Sequence, residues 1–112
     1  MYNAVDIGVY IVDYCIRNDC PVTNLQLQYM LQILQKKYQE EHGKTLYYDD
    51  VTHGSHFNYI PNVYYRFCHY GAMPITCNHQ IICLPHEVTS FLHENIMEIA
   101  KIPAYELMNM TA

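Results

Sequence analysis

The fold of this chain is decided by residues 23–42, TNLQLQYMLQILQKKYQEEH. Thr23 can cap the amino terminus of a helix while Gln26 reaches back to it, because a T-x-x-Q capping box pairs two backbone N–H groups that a helix leaves unbonded. Apolar side chains at helical spacing mark one face, which comprises Leu27, Met30, Leu31, Leu34 and Tyr38. Polar side chains cover the rest, namely Gln28, Gln32, Gln35, Lys36 and Gln39. The pattern predicts a helix that buries Leu31 and ends at a left-handed Gly43.

Four further helices are predicted on either side of this one. Their approximate bounds are 4–17, 61–70, 85–101 and 104–110. Residues 18–21, NDCP, end the first helix, since proline disfavours helix in the residue before it. Pro61 can open the helix over 61–70 at its first position, and Gly71 ends it. The apolar stripe of the helix over 85–101 comprises Val88, Phe91, Leu92, Ile96 and Ile99.

The other segments carry no helical periodicity. Residues 45–59 are predicted to be irregular or to form a short extended piece, since Gly54 and Asn58 supply turns. Apolar residues 74–77 and 81–84 flank the polar residues 78–80, which favours a small hairpin. The chain is thus predicted to be mainly α: a single compact helical domain, residues 1–112, of about five helices with at most one small β-hairpin.

Composition and charge exclude several classes of protein. With 51% hydrophobic residues over 112 positions, disorder is not expected. No apolar run approaches the ~20 residues that span a bilayer, and no signal peptide is recognised, so a cytoplasmic protein without a membrane partner is expected. The net charge is −5 and the basic residues are scattered. Direct nucleic-acid binding is therefore not expected, whereas an acidic protein can bind a basic protein surface.

Four residues are the strongest candidates for metal ligands: Cys77, His79, Cys83 and His86. Zinc binds Cys and His side chains, but the spacing C-x-H-x-x-x-C-x-x-H lacks the paired C-x-x-C of a strong zinc motif. The alternative is that Cys77 and Cys83 are small buried hydrophobic side chains. No metal and no cofactor is predicted, although a zinc site at these four residues stays open as an alternative.

No motif supports catalysis. The chain has no Gly-rich phosphate loop and no H-E-x-x-H sequence, and no signature of a cysteine enzyme surrounds any of its five cysteines, which are expected to be reduced. Asp49 and Asp50 are predicted to be solvated turn acids. We therefore predict that the protein is not an enzyme.

Tyrosine is the most unusual feature of the composition, with twelve tyrosines and no tryptophan. Most are expected to line the edge of a small core, since the ring is apolar while the hydroxyl takes a hydrogen bond. Some lie in the irregular segment or on the helix after it, where binding residues concentrate and where aromatic anchors dominate interface energies. The predicted partner-binding residues are Tyr47, Tyr48, Phe57, Tyr59 and Tyr65.

Three stretches together resemble the Panacea antitoxin domain. Residues 23–32, TNLQLQYMLQ, resemble that family's opening T-N-L-K-L-Q-K-L-L. Residues 43–50, GKTLYYDD, resemble its G-K-P-L-F-D-D segment, and residues 61–71 resemble its P-x-V-Y-x-x-F-x-x-Y-G helix. The spacing between the blocks agrees without gaps. The resemblance covers about residues 4–71 and is loose over residues 73–110.

The resemblance implies a mainly helical fold, no catalysis and direct binding to a toxin, since Panacea domains are antitoxins that neutralise diverse toxins. The family includes phage-associated GepA-like proteins and is frequent in prophages and other mobile elements. The chain looks like a short, diverged member, because Phe57-Asn58-Tyr59 replaces a Gly-Pro-Val step and His53-Gly54-Ser55 replaces a tryptophan-bearing strand. The alternative function is a phage- or mobile-element-encoded inhibitor of a host defence protein, comparable to an anti-CRISPR protein.

Overall fold

In the computed structural model, which describes residues 2–77 and 80–111, five α-helices share one hydrophobic core. The helices are α1 Ala4–Arg17, α2 Asn24–His42, α3 Pro61–Phe67, α4 His86–Ala100 and α5 Ala104–Met110, and a 3-10 turn, Cys68–Tyr70, follows α3. Strands β1 Thr52–His53 and β2 Asn58–Tyr59 form an antiparallel sheet in which Thr52 pairs with Tyr59. The predicted mainly helical fold with one small hairpin is confirmed.

Helix α2 lies at the centre of the packing, in contact with the other four helices. The predicted capping box is confirmed: the Thr23 hydroxyl oxygen accepts from the Gln26 N–H at 3.1 Å, and Gln26 Oε1 accepts from the Thr23 N–H at 2.9 Å. Gly43 ends the helix with a φ of 69°. The predicted apolar face, including Leu31, is buried, and each such side chain contributes ~1.5–3 kcal/mol.

Helices α1 and α3 approach closely at Gly8. A Cβ atom at this position would lie 3.3 Å from Val63 Cγ1, closer than ordinary van der Waals contact. A residue without a side chain therefore permits the packing of α3 on α1. The position of α3 matters because this helix carries Tyr64 and Tyr65.

The small sheet lies outside the segment predicted for it. Both strands fall within residues 45–59, which were predicted to be irregular or to form a short extended piece. An isolated two-stranded hairpin is only marginally stable in water. This hairpin is supported because β2 packs against α2.

The segment predicted as a hairpin pairs instead with the chain that precedes α2. The Ile75 N–H donates to the Val22 carbonyl at 2.8 Å. Residues 75–77 and 80–84 contain no strand, and the predicted turn residues Asn78-His79 lie outside the described residues. The hairpin prediction was wrong in its location because an unpaired backbone group can be satisfied by any nearby main chain, which the local pattern does not reveal.

The turn between β1 and β2 requires glycine at position 54. The Gly54 N–H donates to the Phe57 carbonyl at 3.1 Å, and a Cβ atom on Gly54 would lie 2.5 Å from that same oxygen. We expect Gly54→Ala to lower the free energy of unfolding by about 1–3 kcal/mol, the usual cost of forcing atoms into filled space. Urea denaturation measures this, with the exposed Ser55→Ala as the matched control. Equal stability of the two variants would show that the turn accommodates a Cβ atom.

Candidate functional site

Four aromatic rings meet where the hairpin packs beside α3. Phe57 and Tyr59 come from the hairpin, and Tyr64 and Tyr65 come from α3. The ring centroids of Phe57 and Tyr59 lie 5.6 Å apart, those of Tyr59 and Tyr64 5.5 Å apart, and those of Tyr64 and Tyr65 5.8 Å apart. These separations are typical of favourable edge-to-face and tilted ring contacts. We call these four residues the aromatic cluster, whose outermost ring is Tyr65, 64% exposed.

Phe57 also lines an apolar groove between α2 and α5, which we call the α2–α5 groove. It has a volume of about 460 Å³ and is lined by Leu25, Tyr29, His56, Phe57, Ala104, Tyr105 and Met108. Some of the side chains that line it are exposed to solvent, among them Tyr105 at 67% and Met108 at 44%. The aromatic cluster and the groove therefore form one continuous apolar surface that meets at Phe57.

Amide side chains on α2 hold the main chain that carries the aromatic cluster. Gln28, which is fully buried, accepts from the Ile60 N–H at 2.8 Å and donates to Asn24 Oδ1 at 3.0 Å. Asn24 in turn donates to the Tyr64 carbonyl at 2.9 Å. Helix α3 and the residue after β2 are thereby held on α2 by hydrogen bonds, of which those of Gln28 are buried and that of Asn24 is partly buried.

The same stripe of amides continues along α2. Gln32 Nε2 donates to the Asn58 carbonyl at 3.1 Å. Gln35 Nε2 donates to the Tyr47 carbonyl at 2.7 Å, and Gln35 Oε1 accepts from the N–H groups of Leu46 and Tyr47 at 2.7 and 3.2 Å. We call Asn24, Gln28, Gln32 and Gln35 the amide stripe.

The amide stripe corrects the prediction that the glutamines of α2 simply cover its polar surface. Residues 46–60 run along α2 with little regular structure, so many of their main-chain groups have no partner within a sheet or helix. Buried N–H and C=O groups must be hydrogen-bonded, and side-chain amides supply both a donor and an acceptor. Gln28 is therefore a core residue, and Gln32 and Gln35 are partly buried.

Tyr47 is a core residue, which corrects its assignment to the partner-binding set. Its side chain is 1% exposed and its hydroxyl donates to the Leu31 carbonyl at 3.0 Å. Burial raises the pKa of the Tyr47 phenol above its usual value. The ring points inward because Gln35 holds the Tyr47 main chain against α2. We therefore leave Tyr47 out of the surface.

The other four predicted residues are all accessible to some degree. Phe57, Tyr59 and Tyr65 join in the aromatic cluster. Tyr48 is 60% exposed and lies next to Asp49, whose carboxylate accepts from the Ala4 N–H at 2.8 Å and from Asn62 Nδ2 at 3.2 Å. Asp49 thus has a structural role, in place of the solvated turn acid that was predicted.

Sequence reasoning missed several residues of this surface. Tyr64 was not among the predicted partner-binding residues, yet it links the rings of Tyr59 and Tyr65. Leu25, Tyr105 and Met108 were not singled out. A signal was present at Leu25, which is apolar, lies off the main stripe of α2 and precedes Tyr29 by one helical turn.

Comparisons with models of protein families, with curated proteins and with solved structures find no match to this chain.

The candidate metal ligands do not form a site within the described part of the chain. Among residues 2–77 and 80–111, no three His, Cys, Asp or Glu side chains come together as metal ligands. His79 lies outside the described residues, so the proposed set of four is incomplete. Cys77 and Cys83 are both exposed, which corrects the alternative that they are buried hydrophobic side chains.

Within the same residues, no helix combines the length and the apolar character needed to cross a bilayer.

Proposed function

We propose that this chain is a non-enzymatic, cytoplasmic protein-binding domain of the antitoxin type, which neutralises a partner toxin by direct contact. The observation that supports the proposal is the continuous apolar surface centred on Phe57, formed by the aromatic cluster and the α2–α5 groove. Contiguous exposed apolar surface on a small protein marks interaction sites. Aromatic and methionine side chains are enriched at the centre of protein interfaces.

The chemistry of the surface favours a protein over other partners. Tyr65, Tyr105 and Met108 offer broad apolar contact area, and the groove is lined without Asp, Glu, Lys or Arg. Nucleic acid would need a basic surface to meet its phosphates, whereas this chain carries a net charge of −5. The resemblance of residues 23–32, 43–50 and 61–71 to the Panacea domain supports an antitoxin in particular.

Hydrogen bonds from α2 hold this surface in place, which reduces the free-energy cost of binding a partner. The amide stripe fixes the main chain on both sides of Tyr59, at Asn58 and at Ile60. Ordering flexible side chains and loops at an interface costs affinity, and prior order removes part of that cost. Tyrosine adds to this advantage because its ring presents a large area with few rotatable bonds.

The proposal predicts that single aromatic truncations weaken binding to the partner and leave the fold intact. We expect Tyr65→Ala to cost ~2 kcal/mol of binding free energy, about a 30-fold rise in Kd, since exposed aromatic anchors carry most of the energy of an interface. Calorimetric titration with the purified partner measures this. The control is Glu94→Ala on the exposed face of α4, which lines neither the aromatic cluster nor the groove.

Three variants of the aromatic cluster together test the surface. They are Phe57→Ala, Tyr59→Ala and Tyr65→Ala, each first shown to unfold cooperatively. Unchanged affinity in all three would reject the aromatic cluster as the contact surface, whatever the identity of the partner.

The proposed antitoxin function is tested separately in cells. The product of the neighbouring gene is expressed with and without this chain. We expect growth arrest by the neighbour alone and rescue on co-expression, with loss of rescue in the variant that binds least. A neighbour that is harmless, or whose toxicity persists on co-expression, would contradict the antitoxin function.

One observation favours a second candidate, an inhibitor of a host defence protein encoded by a phage or mobile element. The hairpin that supplies Phe57 and Tyr59 falls where the chain departs from the Panacea pattern. A changed contact loop on a retained scaffold is consistent with a changed partner. Capture of a nuclease or defence complex from host lysate, followed by its inhibition with the purified chain, would favour this candidate over the toxin.

A further inference from the structure

Helix α1 ends in a backbone motif that brings two cysteines together. Asp19 adopts a left-handed conformation with φ of 54°. Its N–H donates to the Ile16 carbonyl at 3.2 Å, and the Cys20 N–H donates to the Cys15 carbonyl at 2.8 Å. This is the pairing of a Schellman motif, which frequently places the side chains of its first and last residues in contact. Here those two residues are Cys15 and Cys20.

The two thiols both pack in or against the hydrophobic core, and they differ in their exposure to solvent. Cys15 is fully buried, and Cys20 is partly buried against the same core. Burial, with a further contribution from Cys20, raises the pKa of the Cys15 thiol to about 12. The Cys20 thiol is positioned by the Ala100 carbonyl, 3.9 Å from its sulfur.

We propose that Cys15 and Cys20 form an oxidation site, a dithiol that a small disulfide such as glutathione disulfide converts into an intrachain disulfide. A main-chain hydrogen bond joins the two residues directly and keeps their Cα atoms close to each other. This supports the proposal because a disulfide requires Cα atoms only about 4.4–6.8 Å apart. The other three cysteines are exposed and are not part of the site.

The reaction proceeds by two thiol–disulfide exchanges. The Cys20 thiolate attacks one sulfur of glutathione disulfide, forming a mixed disulfide and releasing one glutathione thiolate, which takes up a proton. Cys15 then attacks the Cys20 sulfur and releases the second glutathione thiolate, which takes up the proton that Cys15 gives up. Two cysteine thiols are oxidised and one glutathione disulfide is reduced to two thiols. The raised pKa of Cys15 keeps most of this residue as the thiol at neutral pH, which slows the second exchange.

The sequence makes the product easy to identify. Arg17 is the only trypsin site between the two cysteines, so cleavage places Cys15 in peptide 1–17 and Cys20 in peptide 18–36. The remaining cysteines all fall in peptide 67–101. The full chain is incubated with glutathione disulfide and then unfolded in the presence of a reagent that alkylates the remaining thiols. It is then digested with trypsin and analysed by mass spectrometry.

We expect peptides 1–17 and 18–36 to be recovered as a linked pair, lighter by two hydrogens than the sum of the two thiol peptides. Cys20→Ser should abolish the linked pair, and Cys83→Ser, which removes an exposed thiol, should leave its yield unchanged. Recovery of Cys15 as an alkylated thiol while Cys20 carries glutathione would overturn the proposal. So would disulfides found only within peptide 67–101. Neither result depends on the binding partner.

Discussion

Replacing Leu31 with alanine is expected to lower the free energy of unfolding by about 2–5 kcal/mol. Leu31 is fully buried at the centre of α2, the helix that contacts all the others. Its Cδ1 lies 3.8 Å from the position that a Cβ atom on Gly8 would occupy, so truncation opens a cavity where α1 and α2 meet. The surroundings include rigid helix backbone, which limits how far the cavity can collapse. Urea denaturation followed by circular dichroism measures the loss.

The matched control for this prediction is Leu25→Ala on the same helix. Leu25 is 36% exposed, so its truncation removes less buried contact and should cost below about 1 kcal/mol. Leu25 also lines the α2–α5 groove, and the variant should therefore weaken partner binding while remaining folded. If Leu31→Ala proved as stable as Leu25→Ala, the assignment of the buried face of α2 would be wrong.

Gln28→Leu is expected to cost roughly 2–4 kcal/mol of folding stability, although leucine is apolar and similar in size. The substitution leaves the Ile60 N–H and the Asn24 side-chain oxygen without their partner, and both Gln28 and Ile60 are fully buried. A buried polar group left unsatisfied costs about 1–3 kcal/mol. The gain from adding an apolar side chain to the core offsets only part of this.

The control for Gln28→Leu is Gln39→Leu, an exposed position on the same helix. It should change stability by no more than about 0.5 kcal/mol. Hydrogen exchange gives a second readout, because Gln28→Leu should increase exchange at the Ile60 amide more than at amides within α4. A Gln28→Leu protein that matches the control in both stability and exchange would contradict the role of the amide stripe.

The helices could be predicted from the sequence because their signals are local. The capping box at Thr23 and the left-handed Gly43 bound α2 as expected, and proline precedes or opens each of the last three helices. Helix α4 begins at His86, one residue after the predicted Pro85, because proline serves there as the residue before the first helical turn.

The surface was only partly predictable. Phe57, Tyr59 and Tyr65 were identified from their residue type and their irregular surroundings, and they do come together. Tyr47 could not be distinguished from Tyr48 by type, yet one is buried and the other is 60% exposed. The main chain here is held by Gln35, twelve residues before Tyr47, and by Tyr2 near the start of the chain, and no local pattern encodes those pairings.

The sequence by itself determined that this is a mainly helical chain with five helical segments and an apolar face on residues 23–42. Each of these features depends on residues within a few positions of one another, through periodicity, capping and proline. The tertiary structure alone decided where the hairpin lies, which tyrosines face solvent and why the glutamines of α2 are buried. Those outcomes depend on which main-chain groups of residues 46–60 meet α2, and buried backbone groups take whichever partner the packed chain brings within reach.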